Sequence, residues 1–388
     1  MSLALLILAN RHEQIIAANI DRWGHVFDEI VVGIDSRSDS AVGAAMIGRV
    51  DRLLYVEGIG HFANSSWLLP MASTEWALIL DSDEVISDEL GAQLAERAMF
   101  DTTANSMAVP MRWCWPSSSS YLNDEPWRFD PQIRLVRRST FQANYPTDVH
   151  VAVEMDGPIE YLDAPLFHLD LVLNSYAERS DKVLTRDTES ATQMAGFAGT
   201  INSVYYLPEE RDGQLTTAHA LDDDREIIDS ALQHAATVAR SPRVTTSKNL
   251  HIEEIQRIGI AQNQRFLDGD ASIGIVSSPA QVIAGKASPV EVRLTNNTRR
   301  TLWPRVNGRG VAIGWVARSR AGDQIATGRG ELTVPLRSGQ STLVITWILV
   351  ETYIGECSIW LDVVDEGRFW FGVDQHVDLE ILAAGSTF

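Results

Sequence analysis

Three short and almost wholly apolar runs stand out in the first 115 residues, and a polar turn follows each of them. They are Leu3–Ala9 (LALLILA), residues 29–34 (EIVVGI) and residues 76–80 (WALIL). Runs that carry apolar side chains on both faces are typical of strands buried in a parallel sheet, because crossover helices cover both faces of such a sheet. Helical spacing over Glu13–Trp23 predicts the first crossover. The opening third therefore favours a mainly parallel α/β fold.

The pattern changes twice further along the chain. After residue 105, strands at 107–113 and 132–137 flank a loop rich in Trp, Ser and Pro, and helical stretches follow over 175–194, 223–240 and 253–266. From residue 277, short β-type runs separated by turns predict an antiparallel sandwich of ~110 residues. We therefore expect three regions, which are an α/β domain over 1–205, a helical extension over 206–272 and a β-sandwich over 273–388.

Charge is divided unevenly between these regions. The 388 residues carry 52 acidic and 32 basic side chains, a net charge of -20. From Val276 onward there are 11 acidic and 11 basic residues, whereas the residues before it include 41 acidic and 21 basic ones. Such acidity disfavours binding to nucleic acid or to an anionic membrane surface.

Cysteine usage and hydropathy narrow the class of protein further. Cys114 and Cys357 are too few for a disulfide framework or a Cys-rich metal site. No apolar run approaches the ~20 residues of a membrane span, and the first ten residues lack the basic segment of a signal peptide. We expect a cytoplasmic protein with no membrane span.

Acidic side chains follow two of the apolar runs. Asp35 and Asp39 come after the second run, and Asp81 and Asp83 after the third. Ligands of open α/β sheets bind at the carboxyl ends of strands, and clustered acids repel one another unless a cation or a basic partner compensates. An Asp-x-Asp pair can offer oxygen ligands to Mg²⁺ or Mn²⁺, whose free positions can take a diphosphate. The other interpretation is a solvated turn before a helix that Ser87 caps.

Taken in order, these motifs resemble those of the family-two glycosyltransferases of GT-A fold. The matching segments are 10–13 (NRHE), 28–32 with 35–39 (DEIVV, DSRSD), 76–84 (WALILDSDE), 132–138 (QIRLVRR), 149–150 (VH), and His168 with 175–182 (SYAERSDK). The resemblance covers residues 3–190. Two positions depart from the family pattern: no arginine precedes Asn64, and Val151 stands where the family often has glutamate.

The resemblance implies a Rossmann-like mixed sheet with helices on both faces, and transfer of a sugar from a UDP- or GDP-linked donor to a carbohydrate or lipid-linked acceptor. It implies Mn²⁺ or Mg²⁺ as the cofactor, held by Asp83, with His168 as a further metal ligand or phosphate contact. His168 is equally explained as a buried histidine with satisfied hydrogen bonds. The remaining donor-binding residues that it implies are Ala9, Asn10, Arg11, Asp35, Asn64, Asp81, Ser82 and Arg134.

Several basic residues have two interpretations. Arg134, Arg137, Arg179 and Lys182 either neutralise phosphate or belong to ion pairs.

The general base that removes the proton of the acceptor hydroxyl is less well defined. Asp148 and Glu154 are the carboxylates nearest to His150, and all three share one face of an extended strand. We favour Asp148, while His150 and an acid in the 123–130 loop stay open. Whether the transfer inverts or retains configuration is open as well.

Tryptophans mark two further places. Those of the 113–130 loop either stack on the acceptor sugar or anchor the loop to the core. The five of the last region are sandwich core, or they serve a module that binds carbohydrate or joins subunits into a homo-oligomer. A nucleotidyltransferase is disfavoured, because ANRHEQ follows the first strand where that class needs a glycine-rich phosphate loop. The alternative to an active enzyme is a decayed GT-A protein that acts as a carbohydrate-binding or scaffold module.

Overall fold

The chain divides into two compact units, residues 1–261 (unit 1) and residues 262–388 (unit 2). The computed structural model describes residues 1–36, 40–59, 63–141, 145, 155, 157–190, 201–211, 213–236, 239–265, 271–298, 301–305, 310–366, 369–373 and 375–385. None of the helices in these ranges is long and apolar enough to cross a membrane.

Unit 1 alternates strands and helices. Its strands are β1 (Leu3–Ala9), β2 (Glu29–Asp35), β3 (Arg52–Glu57), β4 (Trp76–Asp81), β5 (Glu84–Ile86), β6 (Ser106–Trp113), β7 (Ser120–Leu122), β8 (Pro131–Arg137), β9 (Ile159–Tyr161), β10 (Leu166–His168), β11 (Thr217–His219) and β12 (Thr246–His251). Its helices are α1 (Glu13–Trp23), α2 (Ser40–Met46), α3 (Asp88–Glu96), α4 (Asp170–Leu173), α5 (Tyr176–Ser190), α6 (Ile201–Tyr206), α7 (Asp222–Leu232) and α8 (Ile252–Arg265), the last of which runs past the unit boundary.

A large mixed sheet forms the centre of unit 1, and the unit is of the mixed α/β class. Its strand order is β12-β3-β2-β1-β4-β8-β6-β10-β5, with β9 beside β6. Strand β1 is parallel to both β2 and β4, whereas β8 is antiparallel to both β4 and β6. Strands β4 and β6 therefore run in the same direction, and β10 runs parallel to β6.

The apolar runs predict the central strands correctly. Nearly every side chain of β1, β2 and β4 is buried, as expected for strands of a sheet that is covered on both faces. Helix α1 has the predicted bounds, and α3 begins after Ser87, whose Oγ accepts a hydrogen bond from the Leu90 N–H at 3.1 Å. The cap and the strand pattern are confirmed.

Two segments differ from the sequence-based expectation. Residues 206–272 are not wholly helical, because β11 pairs with β7 and β12 extends the large sheet beside β3. Strand β12 was hidden by its composition: it is polar, and Leu250 is its one buried residue, as suits an edge strand. The segment around 64–73, which we expect to be a helix because it precedes the β4 run, forms a 3₁₀-helix over Ser65–Met71 that contains Pro70, a residue without the N–H for a regular α-helical bond.

Unit 2 is built from strands in the part that the structure describes. They are β13 (Ala271–Ser277), β14 (Gln281–Ile283), β15 (Ser288–Asn296), β16 (Val311–Ser319), β17 (Gln324–Glu331), β18 (Ser341–Ile348), β19 (Gly355–Asp365), β20 (Phe369–Trp370) and β21 (Gln375–Leu382). One sheet has the order β13-β15-β18, and the other has β14-β21-β19-β16-β17 with β20 beside β19. Alternate side chains of both sheets form one apolar core, which includes Trp315, while Trp347, Trp360 and Trp370 are partly exposed.

Candidate functional site

The strand order reverses at the carboxyl end of β1, and we refer to this point between the ends of β1 and β4 as the crevice. After β1 the chain builds β2 and β3 on one side, and it later adds β4 on the other side. Such a reversal of strand order is where open α/β sheets bind their ligands. In the ladder, Ala9 pairs with Ile34 on one side and Leu8 pairs with Asp81 on the other. Asp35 is the last residue of β2 and Asp81 is the last residue of β4, so they lie at the ends of the two strands that flank β1.

Two strands on the far side of the sheet end at the same edge. Because β6 and β10 run in the direction of β4, Trp113 and His168 lie at their carboxyl ends, where they are ladder partners. The antiparallel strand β5 places Glu84 opposite His168. We call this edge, formed by residues 10–12, 35, 81–84, 113 and 168, the carboxyl rim.

A buried ion-pair network holds the acidic turn after β4. The Arg134 Nη2 group donates to Asp81 Oδ2 at 2.9 Å and also to Glu84 Oε1. The other Glu84 oxygen accepts a hydrogen bond from the Asp81 backbone N–H at 2.9 Å. Burial raises the pKa of Glu84 to about 8 despite this arginine. Burial lowers the pKa of Arg134, but Asp81 and Glu84 raise it more, so it lies above its ordinary value. Arg134 is thus the basic partner that the acid cluster required.

Asp83 has a different environment from Asp81. Burial by itself would raise the pKa of Asp83, but His168, Lys182 and His12 outweigh burial, and the pKa lies below its ordinary value. The Leu169 N–H donates to the Asp83 backbone oxygen at 2.9 Å, which joins this turn to the end of β10. Asp83 therefore stays a carboxylate beside an imidazole.

His168 is held in place by stacking. Its ring lies 3.9 Å from the Trp113 ring, centroid to centroid, with an interplanar angle of 22°. The Trp113 indole N–H donates to Asp130 at 2.8 Å, and the Asp170 N–H points at His168 Nδ1 at 3.4 Å. These contacts fix the imidazole on the rim.

His12 belongs to the same rim, although sequence reasoning gave it no role. Its backbone is left-handed, with φ 67°, and its buried Nε2 has no hydrogen-bond partner among the described residues. Burial lowers the pKa of His12, and the charges that act on it next are those of Asp83 and Arg11. The available signal was its place between Asn10 and Glu13, in the segment that the family resemblance already singled out.

The other residues expected to bind the donor fall in different places. Ala9 and Asp35 are buried at strand ends, Asn10 and Arg11 are exposed on the rim, and Ser82 is partly buried. Asn64 has a structural use. Its side-chain oxygen accepts a hydrogen bond from the Ser66 N–H at 3.0 Å and caps the 3₁₀-helix.

Ser65, which sequence reasoning missed, links the two strands at the crevice. Its Oγ accepts from the Leu8 N–H and donates to the Leu80 oxygen, both at 2.8 Å. The expected bases Asp148 and Glu154, together with His150, lie outside the described residues.

The remaining basic residues that were considered as phosphate contacts are held in ion pairs or lie elsewhere. Arg179 is buried and binds Glu209 through two N–H groups, and Lys182 binds Asp170 at 2.7 Å. Arg137 is the ladder partner of Trp76, at the amino end of β4, and therefore lies at the opposite edge of the sheet from the carboxyl rim. Because β8 is antiparallel to β4, Arg134 and Arg137 approach opposite edges.

Two tryptophans of the 113–130 loop anchor it to the core. Trp113 packs as described above, and the Trp127 N–H donates to the Tyr205 oxygen at 3.1 Å. Both indoles are buried.

Asp83 and His168 are two rim residues whose donor atoms suit a divalent cation. Within the described ranges, no three His, Cys, Asp or Glu side chains converge as a metal-binding group. One carboxylate and one imidazole nevertheless fit Mg²⁺ or Mn²⁺ when substrate phosphates supply other ligands, because Mg²⁺ is usually held by one or two carboxylates and phosphate oxygens. Asp81 is occupied by Arg134.

Comparison with known proteins gives only distant similarity. No protein-family model matches the chain, and no curated protein matches it. Among solved structures, the CARDB domain of a Pyrococcus furiosus protein is 15% identical, with 29% of this chain and 88% of that chain covered and a TM-score of 0.20. The sporulation control protein Spo0M of Bacillus subtilis is 14% identical (30% and 51% covered, TM-score 0.22), and a Listeria innocua β-glucosidase is 13% identical (29% and 16% covered, TM-score 0.21). No family assignment follows from these similarities.

Proposed function

We propose that the chain is a glycosyltransferase of the family-two, GT-A type, which moves a sugar from a nucleoside-diphosphate donor to a hydroxyl group of a carbohydrate or lipid-linked acceptor. The observation that carries the proposal is the approach of the Asp83 turn to the end of β10, where the Leu169 N–H donates to the Asp83 backbone oxygen at 2.9 Å directly after His168. The order of motifs along residues 3–190 supports it as well.

The rim residues divide the work of holding the donor. Asp35, at the end of β2, binds the base or ribose beside the backbone of residues 9–11. Asp81 accepts ribose hydroxyls while Arg134 keeps its carboxylate in position. Arg134 also partly offsets the negative charge of the turn, so that a dianionic diphosphate can approach it.

Asp83 and His168 would hold Mn²⁺ or Mg²⁺. When bound, the cation stabilises the negative charge that develops on the diphosphate leaving group. The chain contributes orientation: Trp113 fixes the His168 ring, and the backbone bond from Leu169 fixes the Asp83 turn. Asp148, or else Glu154, takes the proton of the acceptor hydroxyl as that oxygen attacks the anomeric carbon.

Calorimetric titration with UDP- and GDP-sugars, with and without Mn²⁺, tests the proposal. We expect one of the two nucleotide classes to bind in a Mn²⁺-dependent manner, and Asp83→Asn to weaken that binding about 100-fold. Asp101→Asn is the matched control, because it removes one exposed carboxylate away from the rim. Binding that ignores Mn²⁺ and Asp83→Asn would refute the proposed role of the rim.

A decayed enzyme that binds carbohydrate through unit 2 is the second candidate. Trp360 and Trp370 are 40% and 43% exposed, and Trp360 stacks on His376 at 5.1 Å. Exposed indoles are natural platforms for sugar rings. Saccharide binding that Trp360→Ala abolishes, together with no nucleotide binding at the rim, would favour this candidate.

A further inference from the structure

His12 has a left-handed backbone, a conformation that is uncommon for residues other than glycine. Among the described non-glycine residues, His12 (φ 67°) and Arg97 (φ 62°) have positive φ. Crowding between Cβ and the backbone makes this region uncommon for residues other than glycine, and non-glycine residues held there cluster at functional sites. We therefore ask whether the His12 side chain has a function that explains this backbone conformation.

Helix α1 does not supply that reason. His12 is the N-cap residue of α1, and its backbone oxygen accepts from the N–H groups of Ile15 and Ile16. Its side chain makes no capping hydrogen bond, whereas Ser, Thr, Asp or Asn would make one at this position. The helix uses the backbone of His12 and not the imidazole.

The imidazole leaves a buried nitrogen without a partner. His12 Nε2 is enclosed and makes no hydrogen bond to any residue that the structure describes. Buried polar atoms in folded proteins are nearly always paired, so an unpaired one indicates a missing ligand or water. The strand ladder identifies the place, because β1 lies beside β4, and the acidic turn with Asp83 follows β4. His12 also comes directly after β1, the strand at which the crevice lies.

We infer that His12 binds the nucleotide donor: with its proton on Nε2, the imidazole donates a hydrogen bond to an oxygen of the diphosphate. This inference rests on the proposed function, and it adds a specific contact with the leaving group. The diphosphate is the part of the donor that would reach Asp83, and its oxygens are acceptors for an N–H group that otherwise has none. The left-handed backbone is then the means by which Nε2 is directed into the rim.

Titration of the full-length protein with UDP and GDP in the presence of Mn²⁺ tests this contact. We expect His12→Gly to weaken the binding of the preferred nucleotide about 10- to 100-fold, the loss that follows when a hydrogen bond to a charged group is removed. His12→Gln keeps an amide N–H near the position of Nε2 and is expected to stay within about threefold of wild type.

Two further measurements separate binding from folding. Glycine relieves the positive φ, so the melting temperature of His12→Gly should not fall below that of wild type. Arg97→Gly relieves the other left-handed residue at the end of α3 and should leave nucleotide affinity unchanged.

The outcomes distinguish this inference from the proposed function. Nucleotide affinity that is unchanged in His12→Gly, or lost equally in the Gly and Gln variants, would overturn the contact. If Asp83→Asn weakens binding and His12→Gly does not, only the inference fails. A wild-type protein that binds neither UDP nor GDP refutes the proposed function and the contact with it.

Discussion

Unit 1 buries charged groups, whereas unit 2 is held together almost entirely by apolar packing. Glu84, Arg179 and Asp170 are buried in unit 1 and are joined to partners of opposite charge. In the described part of unit 2, the buried charged side chains are Asp362 and Asp365, and Asp362 accepts hydrogen bonds from backbone N–H groups. Buried charge is costly unless it is paired, so the stability of unit 1 depends on keeping these partners together, whereas that of unit 2 depends on apolar packing.

The largest effect expected from this difference is at Arg134. Arg134→Met leaves Asp81 without its cation and the buried Glu84 carboxyl without the hydrogen-bond donor to its Oε1 atom, and we expect unit 1 to lose about 3–5 kcal/mol of unfolding free energy. Urea unfolding of the full chain measures the loss, and hydrogen exchange resolved by peptide assigns it to unit 1.

A double variant supplies the control for Arg134. Adding Glu84→Gln removes the buried carboxyl group that Arg134→Met leaves without that donor, and it should recover part of the lost stability. If the single variant is as stable as wild type, the buried network does not support the acidic turn.

Unit 2 should respond to lost packing instead. Leu361 is fully buried in the core that the two sheets share. Leu361→Ala should cost unit 2 about 3 kcal/mol, through lost burial and a residual cavity, and added salt should not change the cost. Leu343→Ala is the control, because this leucine is largely exposed on β18. Equal losses in the two variants would show that the core described here does not stabilise unit 2.

A smaller effect is expected at the N-terminus of α3, directly after the acidic turn. Ser87→Ala removes the acceptor for the Leu90 N–H and should cost about 1 kcal/mol in unit 1. Ser272→Ala, an exposed serine on β13 in unit 2, should be close to neutral. Urea unfolding of the two variants side by side gives the difference, and no difference would mean that the cap is dispensable.

The smallest effect is expected from an exposed ion pair of unit 2. Arg320 and Glu356 approach to 2.8 Å, but both side chains are mostly in solvent. Arg320→Ala should change stability by less than about 0.5 kcal/mol, because exposed pairs gain little from Coulomb attraction. If Arg320→Ala lowered the unfolding free energy as much as Arg134→Met does, charged groups would stabilise unit 2 as strongly as unit 1, and the difference between the two units would be wrong.

Sequence patterns predicted the centre of unit 1 well because its strands are buried on both faces. The runs at β1, β2 and β4 have few polar positions. A short, almost wholly apolar run is the expected sequence of a strand that is covered on both faces. Strand β12 could not be found in this way, because its pairing with β3 depends on backbone groups and its side chains are mostly polar.

The candidate site was predictable in part. The position of Asp35, Asp81 and Asp83 at strand ends follows from the apolar runs before them. The partnership of Asp81 with Arg134 depends on the antiparallel pairing of β8 with β4, which joins residues 53 positions apart. The orphaned nitrogen of His12 depends on how later elements enclose it, and a sequence carries no direct sign of that.

Arg134 has a consequence for the order of events during folding. A turn whose acids had only a metal ion for compensation would stay open until the ion arrived, and its folding would follow cation supply. Here a side chain of β8 provides a positive charge as soon as β8 pairs with β4. Newly made chains can therefore complete this part of the sheet without a cation, and under the proposed function ion uptake would be a separate and later event.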